Sequence, residues 1–364
     1  MVMINIRPKI AIIGTAGLPA RYGGFETLTD YLTSQLKDKI NFVVYCPATP
    51  VAQRLRSYNG AQLVYLPFKA NGPQSIVYDV VSILLSVFSC DRLLILGSGG
   101  AVILPLLFSF RRKFILNFGG LEWKRSKWGR MTRAYLKLTE SIGVKFSNDV
   151  IADNQYFVNY ILSEYDKNST LIEYGGDHCV EVKNLHNKLH EHYPFLGEKY
   201  FLSVSRAQED NNIHLLLEAF RGLENYKLVV VSNWNTSNYG RDLKIRYSGF
   251  SNIILLDAIY DLNVLNAIRS GCFVYLHSHS FCGTAPSLVE MMNLGKPVLS
   301  FNAQTNLETT ERKALFFNSS DDIRVLVQDT STSDLLAIGV AMKEIARRRY
   351  TWNIIIKKYL EVLR

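Results

Sequence analysis

Short, continuous apolar runs recur from one end of the chain to the other: KIAIIG at 9–14, NFVVYC at 41–46, QLVYLP at 62–67, RLLILG at 92–97, KFILNF at 113–118, DVIAD at 149–153 and TLIEYG at 170–175. Helical patterns such as Phe25–Leu36 and Thr132–Ile142 lie between them. Runs that are apolar throughout, rather than at every second position, belong to parallel strands covered on both faces, which is the doubly wound α/β arrangement. A second series follows at 200–205, 227–232, 252–257, 272–277 and 297–301. The polar stretch between them, 176–198, reads as a linker with a short helix. The pattern predicts one α/β domain over 1–175, a second over 199–345, and a C-terminal helical segment, 346–364, that returns to pack on the first. Two such domains bind ligands at the carboxyl ends of their strands, so a cleft between them is the expected site.

At 364 residues the chain is long enough for both cores. Its five cysteines, Cys46, Cys90, Cys179, Cys272 and Cys282, are widely spaced and contain no C-x-x-C pair, which argues against a disulfide framework or a zinc ribbon. The four histidines at 178, 186, 190 and 192 lack the acidic or cysteine partners of a metal site. Met1 leads through Arg7-Pro8-Lys9 into a strand without the pattern of a signal peptide, so a reducing cytoplasm is expected.

Residues 93–110 are uncharged but are interrupted by Gly97, Gly99 and Gly100. This fits a buried strand, a turn and a helix containing Pro105, or a membrane-facing surface, rather than a spanning helix. The net charge of +9 resides wholly in residues 1–170, which hold 20 Lys and Arg against 11 Asp and Glu. Arg111, Arg112, Lys113, Lys124, Arg125, Lys127, Arg130, Arg133, Lys137 and Lys145 face only Glu122 and Glu140 within 111–145. The expected target is a phosphate of nucleic acid, lipid or substrate, the alternative being a solvated face.

Four loops carry chemistry. GTAGLPARYGGFET, 14–27, follows the first strand and opens a helix, so glycine-freed amides can approach an anion. Its spacing is not G-x-G-x-x-G and the second strand ends without a ribose-binding acid, which excludes a dinucleotide fold. GGLEWKRSKW, 119–128, interleaves Trp123 and Trp128 with three cations, suiting a sugar ring and a phosphate or, alternatively, internal packing. Arg206, at a strand end facing Glu209-Asp210-Asn211-Asn212, can clamp a diphosphate or pair with Asp210. HSHSFCGTAPSLVE, 277–290, runs from a strand through a Gly-Thr turn into a helix with Pro286 in its first turn, and Glu290 lies one turn inward, where it can accept from paired hydroxyls. His277 and His279 point to opposite faces if the strand extends through both.

With these motifs assembled, together with SNYG (237–240) and IYD (259–261), the sequence resembles the retaining sugar-nucleotide glycosyltransferases of the GT-B architecture, two Rossmann-like domains facing a cleft. Within them it resembles the bacterial rhamnosyltransferase-type group of surface polysaccharide synthesis. The resemblance implies that Glu290 holds a ribose and that Arg206 and the amides of Gly283 and Thr284 hold a diphosphate, with Asn211, Asn212, Ala285 and Ser287 completing that pocket. Gly23 and Gly24 reach it from the other domain. Arg21, Tyr22, Glu122, Trp123, Lys124 and Arg125 are implied on the acceptor side.

Three positions depart from the family pattern: Gly119 stands in place of Asp, Ala285 in place of Asn, and Cys282 in place of an acid that contacts the donor sugar. The implied reaction moves rhamnose or another hexose from a nucleoside diphosphate sugar to a polyprenyl-diphosphate-linked glycan, with retention, on the anionic inner face of a membrane. No cofactor is expected; no metal, since no D-x-D occurs; and no nucleic acid, since Glu122 and the absence of basic excess in the second domain argue against a polyanion track. A sugar-nucleotide epimerase of the same fold and a non-catalytic polysaccharide assembly protein are the rival readings.

Overall fold

A computed structural model describes residues 7–20, 23–182 and 187–364, with the side chains of 187 and 188 undescribed. The chain divides into two compact units, Met1–Glu173 with Asn353–Arg364, and Tyr174–Trp352.

The first unit holds an eight-stranded sheet: β1 Lys9–Ile13, β2 Asn41–Cys46, β3 Ser57–Tyr58, β4 Ala61–Tyr65, β5 Arg92–Leu96, β6 Phe114–Asn117, β7 Asp149–Ala152 and β8 Thr170–Leu171. Their order is β3-β4-β2-β1-β5-β6-β7-β8, with only β3 antiparallel to its neighbour. Ala11 stands beside Val43 on one side and Leu93 on the other. The apolar runs are continuous because these strands are buried on both faces, and Ile13, Leu93, Ile95 and Leu116 share one core with Tyr78 and Phe157 from the covering helices.

The second unit has six parallel strands: β9 Tyr200–Val204, β10 Lys227–Val231, β11 Ile253–Leu256, β12 Val274–His277, β13 Val298–Phe301 and β14 Leu315–Phe317. Their order is β11-β10-β9-β12-β13-β14. Leu202 pairs with Val229 and with Tyr275. In both sheets the order reverses at one place, between β1 and β5 and between β9 and β12. The crevice outside the carboxyl ends of such strands is where an open α/β sheet takes its ligand.

One local reading changes. The segment after β5 is not an α-helix but a run of 3₁₀ turns, Ala101–Lys113, with a break at Leu107. Pro105 supplies no N–H to a helical ladder, and short 3₁₀ turns tolerate the loss. The final helix, Trp352–Leu363, starts in the second unit, while Asn353–Arg364 belong to the first. There Asn117 Nδ2 donates to Tyr359 Oη at 2.7 Å, Lys358 pairs with Glu173 at 2.7 Å, and Arg92 donates to the Val362 carbonyl. No helix among the described residues is long and apolar enough to cross a membrane.

Candidate functional site

In the second unit the loops after β9 and β12 are stitched together. Ser280 donates to the Asp210 carbonyl through its amide, at 2.9 Å, and its hydroxyl, at 2.8 Å. Asn212, in the left-handed region at φ 49°, donates to the Ser278 carbonyl at 3.1 Å, and Ser278 Oγ donates to the Asn211 carbonyl. Asn211 Nδ2 donates to the Arg206 carbonyl at 2.8 Å. Asn211 and Asn212 therefore spend their amides on bracing the loops. Arg206 is exposed, two residues beyond the end of β9.

The helix Pro286–Asn293 begins after Ala285 with no side-chain cap. Pro286 has no N–H, and the Leu288 and Val289 amides donate to the Ala285 carbonyl at 3.0 and 3.2 Å, so the positive end of the helix presents the Ser287 amide to the turn before it. Thr284 and Ala285 are buried beneath this turn, with Gly283 and Ser287 half-buried.

Glu290, one turn inward, is buried between two protein partners. His178 Nε2 lies 2.9 Å from its Oε1, and Arg269 donates to its Oε2. Trp352 Nε1 donates to His178 Nδ1 at 3.1 Å, so the imidazole proton sits on Nε2 and points at Glu290. Burial alone would push the Glu290 carboxyl up, but Arg269 and His178 outweigh it and hold it below its ordinary value. Sequence spacing did not reveal His178, Arg269 or Trp352 as its neighbours. The ionised Glu290 thus has its burial compensated without any ligand, and its free lone pairs remain acceptors for hydroxyls.

His277 and His279 do not diverge. β12 ends at His277, so strand alternation no longer governs His279, and the two rings lie with centroids 4.3 Å apart. Cys282 Sγ stands 3.8 Å from His277 Nε2. Cys282 therefore borders these imidazoles in the place where the resemblance expected an acid beside the donor sugar.

In the first unit, Gly14 has φ 88°, and a Cβ there would meet the Leu96 carbonyl at 2.2 Å, so only glycine lets β1 turn at this point. The loop already holds an anion: Glu26 Oε1 accepts from the Ala16 amide at 2.7 Å and from Thr15 Oγ1 at 3.3 Å. This corrects the expectation that the glycine-freed amides stand open. Gly23, at φ 122°, admits the Glu26 carboxylate over its backbone and precedes the helix Gly24–Leu36. Arg21 and Tyr22 lie outside the described residues. Opposite this loop, across the switch point, Asp79 lies against Gly99 and Gly100, and burial pushes its carboxyl up to about 7.

The loop after β6 is tied to the unit's core. Glu122 pairs with Arg125 at 2.8 Å. Lys124 and Lys137 sit over the Trp123 ring, 5.3 and 5.0 Å from its centroid, so that ring packs in a cation cage rather than forming an open platform. Lys137 also donates to Glu140, Tyr160, Glu164 and Tyr165. The indole nitrogens of Trp123 and Trp128 are buried without an acceptor among the described residues. Phe25 lies 3.0 Å from where a Cβ on Gly119 would be, which is why the acid of the resembling group has no room there.

Of the basic patch, Arg111 and Arg112 are exposed, whereas Lys113 donates to the Val87 and Cys90 carbonyls and closes the helix Gln74–Val87. Leu85, Phe88, Leu106 and Phe108 are exposed beside them, Phe88 by 73% and Leu106 by 81%.

Comparison with known proteins places these features. Residues 7–177 match a domain of unknown function, DUF1972, and residues 187–329 match the glycosyl transferases group 1. No curated protein matches the chain in sequence. Among solved structures, the sucrose-phosphate synthase of Thermosynechococcus elongatus superposes with a TM-score of 0.79 at 13% identity, covering 98% of each chain. Anabaena HepE, solved with UDP and glucose, does so at 0.76 and 14%, covering 98% of this chain and 99% of its own. A Listeria monocytogenes protein described as a UDP-N-acetylglucosamine 2-epimerase follows at 0.64 and 13%, covering 98% and 96%.

Proposed function

We propose that this chain, a group 1 glycosyltransferase of the GT-B architecture, transfers a hexose, rhamnose among the candidates, from a nucleoside diphosphate sugar to a polyprenyl-diphosphate-linked glycan, with retention of configuration. The observation that carries the reading is the β9/β12 switch point, where an exposed Arg206 and an uncapped helix N-terminus flank a buried, ionised Glu290. HepE, of the same fold, was solved with UDP and glucose, which suits a nucleoside diphosphate at this place.

The chemistry follows from the groups present. Glu290 accepts from the ribose hydroxyls. Arg206 and the amides of Gly283 and Thr284 take the diphosphate and stabilise the charge it gains as the glycosidic bond breaks. Asn211 and Asn212 hold the two loops in register, while Ala285 and Ser287 form the first turn behind them. No carboxylate stands at the turn to act as a nucleophile. The acceptor oxygen therefore attacks from the side of the leaving group, and the departing diphosphate accepts its proton. Helix amides and arginine supply the positive charge, so the transfer itself has no need of a divalent cation.

On the first unit, the Glu122–Arg125 loop and the glycines at 23 and 24 provide the acceptor side. The exposed Phe88, Leu106 and Phe108 beside Arg111 and Arg112 suit an anionic membrane face carrying the lipid-linked acceptor.

The epimerase fold is similar too, but the Gly283-Thr284-Ala285 turn offers no acid or base to a sugar ring carbon. The decisive experiment incubates the purified protein with a panel of nucleotide sugars, with and without lipid-linked acceptor, and measures nucleoside diphosphate release. Acceptor-dependent release that falls about 100-fold or more in Arg206→Ala is expected, the size of losing one charge-stabilising donor. Undiminished glycan synthesis in cells carrying that substitution sinks the catalytic reading.

A further inference from the structure

We propose that His277, His279 and Cys282 form a binding site for one borderline-soft divalent metal ion, of which Zn²⁺ is the natural occupant. The site lies in the loop between β12 and the helix Pro286–Asn293. One potential ligand atom from each of the three side chains lies within 4.8 Å of the others. Nε2 of His277 and Sγ of Cys282 are 3.8 Å apart, close to the edge of about 3.6 Å that a tetrahedral ion with Zn–N and Zn–S bonds of ordinary length sets between nitrogen and sulfur. Small side-chain rotations close the remainder.

Two further observations bear on the site. His277 is 1% exposed, and its Nδ1, the ring nitrogen other than the Nε2 that faces Cys282, has no hydrogen-bond partner among the described residues. Asn306 braces the loop that carries these side chains: its Nδ2 donates to the carbonyls of His279, at 2.9 Å, and Phe301, at 3.0 Å.

The donor set decides the class of ion. Two imidazoles and a thiol select Zn²⁺ and its neighbours over Mg²⁺ or Ca²⁺, which take oxygen. Binding deprotonates the cysteine, so one proton leaves for each ion bound. His279 and Cys282 are only half-buried, so the fourth position opens to solvent and takes water or an anion. The sequence reading expected no metal because no D-x-D occurs, a motif of oxygen ligands that does not bear on a His/Cys cluster. The proposal stands on the side-chain cluster alone and does not depend on the transfer reaction.

The test titrates the full-length, metal-stripped and reduced protein with Co²⁺. The expected result is a thiolate-to-cobalt absorption band in the near ultraviolet that saturates at one equivalent, with the visible bands of tetrahedral cobalt, bleached by Zn²⁺. Cys282→Ser abolishes the near-ultraviolet band while circular dichroism remains unchanged. His279→Gln weakens binding at least about 10-fold, as loss of one of three protein ligands does. Cys46→Ser, in the other unit, leaves the band unaltered. Absence of the band in the unsubstituted protein, or its persistence in Cys282→Ser and at full strength in His279→Gln, overturns the proposal.

Discussion

His178 donates its Nε2 proton to Glu290 Oε1 across 2.9 Å, although 112 residues separate them in the chain. Gly176 makes the approach possible: a Cβ there would stand 2.5 Å from the Val289 carbonyl, so the strand of chain carrying His178 runs directly against the helix that carries Glu290. Trp352 fixes the tautomer from the far side of the ring. A carboxylate that sequence alone offers as a ribose ligand is thereby already oriented and ionised by its own domain.

Arg269 is the second half of that arrangement, buried and paired with Glu290 Oε2. Removing it leaves the carboxylate in a dry site with one neutral partner. Arg269→Ala is expected to cost about 3–5 kcal/mol in urea unfolding, the usual consequence of stranding one member of a buried pair. Arg269→Met with Glu290→Leu recovers most of that stability, because no charge is left unpaired, yet releases no nucleoside diphosphate. A single Arg269→Ala variant as stable as the parent would mean that the pair is not closed in solution.

The sheets were legible and the ligand network was not, for a physical reason. Parallel strands buried on both faces read as unbroken apolar runs, so β1, β2, β5, β9 and β10 stand where the sequence puts them. β3, two residues long at the sheet edge, and β14, three residues after a charged turn, carry too little pattern to register. Motifs local in sequence, such as the turn before Pro286, declared themselves. Arg269, within the helix Leu262–Gly271, looks like an ordinary cation near a helix C-terminus until the fold brings it to Glu290. The opposite-face reading of His277 and His279 held only for a strand reaching His279, two residues past the point where β12 ends.

Asp79 is expected to make the stability of the chain depend on pH. Burial raises its carboxyl from 3.8 to about 7, and the neighbours it faces, Tyr78 and Tyr135, stay neutral over that range. Because the folded state binds the proton more tightly than the unfolded chain, the stabilisation is fully present below about 3.8. It is lost as the pH rises through about 7. Asp79→Asn removes the loss. Its gain over the parent in chemical denaturation, roughly 1–3 kcal/mol at about pH 8 after allowing for partial solvent contact, shrinks toward zero near pH 4. A gain independent of pH would place the effect in packing against Gly99 and Gly100 instead.

The basic patch divides by what each cation already does. Arg111 lies over the Phe108 ring at 5.3 Å and is exposed, as is Arg112, and both stand beside the apolar Phe88 and Leu106. Lys113 is spent on the carbonyls that end the helix Gln74–Val87. If the patch docks on an anionic bilayer, each free arginine contributes about 1 kcal/mol near the surface. Arg111→Gln with Arg112→Gln is then expected to weaken binding to phosphatidylglycerol-containing vesicles about 30-fold at low salt while leaving thermal stability unchanged. Lys113→Met does the reverse: it lowers the unfolding midpoint by exposing unpaired helix carbonyls and leaves vesicle affinity nearly as it was. Phe88→Ser with Leu106→Ser weakens binding to neutral and anionic vesicles alike, since those side chains contribute by burial rather than charge. Sedimentation with vesicles of graded anionic content separates the two contributions, and equal binding by all four proteins removes the membrane from the account of this surface.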